Sequence, residues 1–149
     1  MSSSAVLAPL AGKVIALADV PDPVFAQQIV GAGVAIDPER AESTVVAPAD
    51  GRLLKLHPHA FVLLTGAGKG LLVHLGIDTV QLDGEGFELL VAEGAEVTTG
   101  TPIVRWNPAE IEAGGRSPIV PIVVMDSAPD SVRSAATGAV RVGDEIFTL

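Results

Sequence analysis

The chain has 149 residues, a formal net charge of −9 and no cysteine. That suits one domain with its own core, and it excludes a disulfide framework, a thiolate nucleophile and a cysteine zinc site. Only nine residues are Lys or Arg, which argues against nucleic acid or an anionic membrane as a partner, and no apolar run approaches the ~20 residues of a membrane span.

Residues 1–4, Met-Ser-Ser-Ser, lack the basic start and apolar stretch of a secretion signal and read as a flexible tail on a single cytoplasmic domain spanning 1–149. Ala8-Pro-Leu-Ala-Gly-Lys-Val-Ile15 is a strand entered through a glycine turn, and it recurs as Ala47-Pro-Ala-Asp-Gly-Arg-Leu-Leu54. Asp22 with Pro23 behind it caps a short helix through Val30, stopped by Gly31. Two apolar runs, His59–Leu64 and Leu71–Val80, flank the turn cluster Thr65-Gly-Ala-Gly-Lys-Gly70 and read as a β-hairpin. Val97-Thr-Thr-Gly-Thr-Pro-Ile103 recurs as Val140-Arg-Val-Gly-Asp-Glu-Ile146, a second echo. Asn107 caps another short helix that Gly114 ends, and Ser127-Ala-Pro-Asp130 starts a last one through about Ala135. With 16 glycines and 11 prolines punctuating short strands, these elements predict an all-β fold. It is an antiparallel β-sandwich or partly closed barrel, with internal duplication and a few short helices.

The hairpin carries one imidazole on each strand, His59 and His74. If Leu64 and Leu71 close the ladder, Phe61 lies opposite His74 and His59 is its diagonal neighbour; a slip by two residues sets the histidines face to face, and only an odd shift separates them. Such a pair can bind a metal, move a proton, or let one histidine attack phosphorus while the other steadies the phosphoryl group. Two partly buried histidines satisfied by backbone are the plain alternative.

The segment His74-Leu-Gly-Ile-Asp-Thr-Val80, followed by Gly84-Glu-Gly-Phe87, closely resembles the active-site strand of the glucose-type enzyme IIA of the bacterial sugar phosphotransferase system. The family's other histidine precedes Ala-Phe, as His59 precedes Ala60-Phe61. Ala8–Gly12, Val20-Pro-Asp-Pro-Val-Phe25-Ala, Ile29-Val-Gly, Val46–Gly51 and Gly94–Gly100 match further motifs in family order. The resemblance implies a β-sandwich that accepts a phosphoryl group on His74 from the phosphocarrier HPr. It passes that group to the IIB domain of a membrane sugar permease, with no cofactor required. Metabolic or transport proteins regulated by some relatives are further candidate partners.

No other nucleophile competes with His74. Thr65–Gly70 fails the Walker pattern, Gly84–Phe87 lacks the third glycine of a dinucleotide fingerprint, and there is no cysteine or serine motif. A carbonyl holding the Nδ1 hydrogen would leave Nε2 free to attack phosphorus, with His59 donating to the phosphoryl oxygens. Asp78 lies four residues after His74, which strand alternation puts on one face. The family reading adds Asp22 beside the histidines, and an apolar docking ring of Val24, Phe25, Ile29, Val30 and Leu72. One departure stands out: where the family commonly has a hydroxyl residue two places before the upstream histidine, Lys55-Leu-His57-Pro-His59 has His57 and a loop shorter by two.

Two other classes compete. A biotinyl- or lipoyl-like carrier would need a modified lysine on a hairpin tip, and Lys69 is on one without the flanking motif. A two-histidine metal protein would need a third ligand. His59 and His74 would hold zinc only where a partner added a carboxylate, so no metal is expected in the free chain.

Overall fold

A computed structural model describes residues 5–134 and 138–149; the expected tail at 1–4 lies outside them. The strands are β1 (Ala5–Leu7), β2 (Gly12–Ala16), β3 (Gly31–Pro38), β4 (Ser43–Val46), β5 (Gly51–His57), β6 (Ala60–Thr65) and β7 (Gly70–His74). They continue as β8 (Phe87–Leu89), β9 (Glu96–Val97), β10 (Pro102–Trp106), β11 (Val120–Met125), β12 (Arg133–Ser134), β13 (Gly138–Val140) and β14 (Glu145–Thr148). Two short α-helices, α1 (Pro23–Ala26) and α2 (Pro108–Ala113), and 3₁₀ turns at Leu17–Asp19 and Thr79–Leu82 complete the described elements. Every described strand pair is antiparallel. None of the described helices is long and apolar enough to cross a membrane.

The expected duplication is visible bond by bond. The main sheet runs β13-β2-β3-β11-β7-β6-β5-β9, and two three-stranded sheets, β1-β14-β12 and β4-β10-β8, complete the strand layers. Leu7 N donates to Pro48 O and Val46 N to Pro9 O; Ala8 N donates to Asp144 O and Ala47 N to Thr101 O. Leu7↔Glu145 and Val6↔Phe147 are matched by Val46↔Pro102 and Val45↔Val104, with a bulge at the same step. Gly12 and Gly51 open the equivalent strands, and a Cβ at either would collide with the carbonyl of Asp37 or of Leu64. The matching continues through the sheet centre, where Val34↔Ile122 and Gly33↔Val123 correspond to Phe61↔Val73 and Ala60↔His74. Ile122 also pairs with Val73, so an approximate twofold axis passes between them.

Strand alternation sorts the apolar residues into two layers. Val34, Ile36, Phe61, Leu63, Leu71, Val73, Ile122 and Val124 face the main core. Ala35, Val123 and, at its edge, Leu72 face the other way, under Leu17, Val20, Phe25 and Ile77. The connection between β2 and β3 is therefore packed onto the outer face of the sheet, and it is on this face that the histidines sit.

Two helix expectations need correction. Asp22 caps α1 as expected, accepting from Val24 N at 2.9 Å, but the helix stops at Ala26 rather than Val30. Gln28 turns into the left-handed region (φ 56°). Its side chain is engaged there with Asp130, donating to Oδ1 at 2.9 Å and accepting from Asp130 N at 2.7 Å. The helix expected from Ser127 does not form over 127–134, and Ala135 lies outside the described residues. Ser127 Oγ accepts from Ala32 N and donates to Val124 O, so it ties the chain back to β3 and β11 instead of capping, and 133–134 pair with β14. The Asn107 helix is found with its side-chain cap on Ala109 N and its stop at Gly114.

Candidate functional site

The histidines meet, but by a route different from the expected one. The turn after β6 is tighter than the sequence reading allowed. Gly68 takes φ 78°, Thr65 N donates to Lys69 O, and Leu64 pairs with Gly70 rather than Leu71. That is the odd shift, with Ala60 opposite His74. Core burial demands it: this register pairs Phe61 with Val73 and Leu63 with Leu71, all four fully buried, whereas Phe61 opposite His74 would have turned an imidazole toward the core. His59 escapes the parity rule because it is not on a strand. His57 pairs with Ala60 across a two-residue turn made of Pro58 and His59, and Leu75 N donates to His59 O at 2.7 Å. The turn brings its ring back to His74, with centroids 5.2 Å apart and planes at 73°.

The tautomer of His74 is set by backbone. Its Nδ1 lies 2.6 Å from the carbonyl oxygen of Gly76. A carbonyl can only accept, so Nδ1 carries the hydrogen and Nε2 keeps its lone pair. Gly76 has φ 84°, and a Cβ there would come 2.7 Å from Thr79 Cγ2 and 3.0 Å from Ser117 O. Thr79, fully buried, donates from Oγ1 to Leu75 O at 2.7 Å and closes the same turn. Sequence reasoning passed over Gly76 and Thr79 as site residues. Their signal was present, as a glycine two residues past a histidine and a threonine inside the same motif.

Burial lowers the pKa of His74, opposed in decreasing order by the Gly76 hydrogen bond and the charges of Asp22 and Asp78. Burial also lowers His59, helped by the charges of His74 and then His57. Both imidazoles are thus held toward the neutral form at pH 7. Asp22 and Asp78 are brought to His74, but strand alternation is not what places Asp78. β7 ends at His74, and Asp78 sits beyond it with φ 60°, leading the 3₁₀ turn.

The apolar residues divide in two. Phe25, expected as an exposed docking anchor, is only 7% exposed. It forms the floor of the site, with its ring 5.4 Å from that of His74 and tilted by 57°. This corrects its placement: α1 lays it on Leu17, Val20, Ala35, Ile77 and Val123, which leaves it little surface to offer a partner. Val24 (43% exposed) and Ile29 (67%) stand open beside it, Val30 and Leu72 are half-buried, and Val80 (56%), within the His74 motif, joins the exposed set unforeseen. Among the described residues, no group of three His, Cys, Asp or Glu is arranged to hold a metal. The two imidazoles alone fall short of the usual zinc ligand set.

The chain is also similar to known proteins. Residues 4–129 match the family model described as phosphoenolpyruvate-dependent sugar phosphotransferase system, EIIA 1. The chain is 47% identical over 125 residues to the glucose-specific EIIA component of Staphylococcus aureus (strain COL), covering 83% of this chain and 74% of that protein. The corresponding protein of Staphylococcus epidermidis (strain ATCC 12228 / FDA PCI 1200) is 43% identical over 124 residues, 82% of this chain and 74% of that one. The structure of glucose permease IIA from Mycoplasma capricolum superposes with a TM-score of 0.90 at 33% identity, covering 99% of this chain and 96% of that one.

Proposed function

Because the chain belongs to the EIIA 1 family of the phosphoenolpyruvate-dependent sugar phosphotransferase system, and is therefore a phosphoryl-relay component of that system, we propose that His74 is its phosphoryl acceptor. HPr is the donor, and the IIB domain of a sugar permease takes the group onward. The observation that carries this reading is the bond from His74 Nδ1 to Gly76 O, which commits the lone pair to Nε2. In uptake, that pair forms the N–P bond as the donor's bond to phosphorus breaks and its electrons return to the donor. The hydrogen stays on Nδ1, donated to the Gly76 carbonyl throughout. His59, edge-on to the same ring, donates to the phosphoryl oxygens and steadies their charge as the group arrives and leaves. Asp22 and Asp78 support the basicity of His74 by their charge. Placed beside a phosphoryl dianion, the same carboxylates keep the N–P bond from becoming too stable to give up.

Docking uses Val24, Ile29 and Val80 as the exposed apolar surface, with Val30 and Leu72 at its margin and Phe25 holding it from beneath. Desolvated contact there excludes water while the group moves. A carrier role through Lys69 has less support. That residue lies on the β6–β7 turn, at the end of the hairpin away from both histidines.

The test is phosphorylation by a phosphoenolpyruvate-driven relay, followed by intact mass. The protein should gain one phosphoryl group, acid-labile and base-stable, only when the upstream carrier is present. His74→Ala should gain none. Label on another residue would refute the assignment.

A further inference from the structure

The imidazole of His59 makes no hydrogen bond to another described residue, although the proposed role requires it to hold one orientation toward a group on His74. What holds it is ring contact. His74 meets it at a steep angle, with planes at 73°, and His57 lies nearly parallel to it, with centroids 5.8 Å apart and planes at 24°. His57 ends β5 and pairs with Ala60 across the Pro58-His59 turn. The proline ring restricts that turn, so two rings two residues apart are brought side by side without a long flexible segment between them.

We propose that His57 is a positioning residue for the relay, whose ring face keeps the His59 imidazole turned toward the phosphoryl group on His74. This rests on the assignment of His74 and His59 above. A side chain on a turn, with no hydrogen bond to fix it, populates several rotamers. A stacked ring pair favours one of them by roughly two- to tenfold, which is the size of effect to look for. The contribution belongs to the flat face and not to a nitrogen. No hydrogen bond from the His57 ring reaches a described residue, and the ring is exposed on the sheet edge of the site.

The experiment compares wild type, His57→Ala and His57→Phe in single-turnover uptake from HPr and onward transfer to IIB. Histidine ring-proton NMR of each protein reports the environment of His59. His57→Ala should slow onward transfer about two- to tenfold with a smaller loss in uptake, and should shift the His59 ring signals as the neighbouring ring current disappears. His57→Phe keeps the face without a nitrogen. It should restore transfer to within about twofold and keep the ring-current signature. Wild-type transfer and unmoved His59 signals in His57→Ala would overturn the proposal. So would a His57→Phe protein as slow as His57→Ala, because a nitrogen would then be the working group. Two controls separate this from failure of the underlying reading. If wild type takes no label at His74, the acceptor assignment falls; if His59→Gln transfers normally, the role of His59 falls; either result takes this inference with it. If both controls hold, an unaffected His57→Ala overturns the positioning role alone.

Discussion

The two connections that lead into β3 and β6 are equivalent by the internal duplication, yet they are built on opposite plans. The β5–β6 connection is the turn Pro58-His59, just long enough to reverse the chain and aim one imidazole. The β2–β3 connection runs from Leu17 to Val30 and contains a 3₁₀ turn, a capped helical turn and a left-handed Gln28. It supplies the floor under His74, a carboxylate and two exposed apolar side chains. The strand pairs they join are nearly interchangeable in register, so the chemistry resides in the difference between the connections. One connection provides a single reactive-site group, and the other provides the surroundings that make such a group useful.

Removing the floor should have the largest effect. Phe25→Ala empties a buried aromatic from the smaller core and should cost about 3–5 kcal/mol in unfolding by urea, while loosening His74. A loss below about 1 kcal/mol would mean the long connection is not packed as described. His59→Gln tests the short connection. Glutamine keeps an N–H donor but cannot carry the positive charge of a protonated imidazole. The variant should therefore leave uptake by His74 largely intact and slow onward transfer about 10²–10³-fold, by analogy with loss of one oxyanion-hole contact. Equal losses in both half-reactions would reduce His59 to a structural residue.

A smaller effect separates the two duties of Asp22. Asp22→Asn keeps a cap for Val24 N and removes the charge; Asp22→Ala removes both. The alanine protein should lose about 1 kcal/mol of stability and the asparagine protein much less. In both, the His74 pKa, read by NMR, should fall further below its ordinary value. An unchanged pKa would take the carboxylate out of the site. The smallest effect is on acid stability. A histidine whose pKa is lowered by folding binds protons more readily when unfolded, so its contribution is complete above the unfolded value of 6.5 and is lost as pH falls through the lowered native one. His74→Gln should flatten that part of the wild-type curve of urea midpoint against pH; curves of equal slope would contradict the burial of His74.

Much of this was legible in the residues themselves. Period-two alternation marked the strands, the two echoes marked the duplication, and Asp22-Pro23 and Asn107-Pro108 marked both helix starts. What escaped was decided by partners remote in sequence. Gln28 leaves the helix where Asp130 holds its side chain, and Ser127 does not cap because its hydroxyl accepts from Ala32, 95 residues away. The hairpin register was missed because Gly68 adopts a three-residue loop that the cluster Thr65–Gly70 does not announce among its several glycines. Phe25 was misplaced because an aromatic residue between Pro and Gly reads alike whether it faces solvent or the sheet. Gly76 was overlooked because its contribution is a carbonyl, a group that every residue carries.

The approximate twofold axis between Ile122 and Val73 has a consequence for counting. Val123 stands where His74 stands, on the equivalent strand and in the equivalent register. The scaffold therefore repeats one strand position twice. One copy holds an imidazole; the other is a fully buried valine roofed over by the long connection. The single phosphoryl group per chain expected under the proposed assignment would in this sense be an achievement of broken symmetry: a fold assembled from two like halves presents one imidazole at a position that its own architecture repeats.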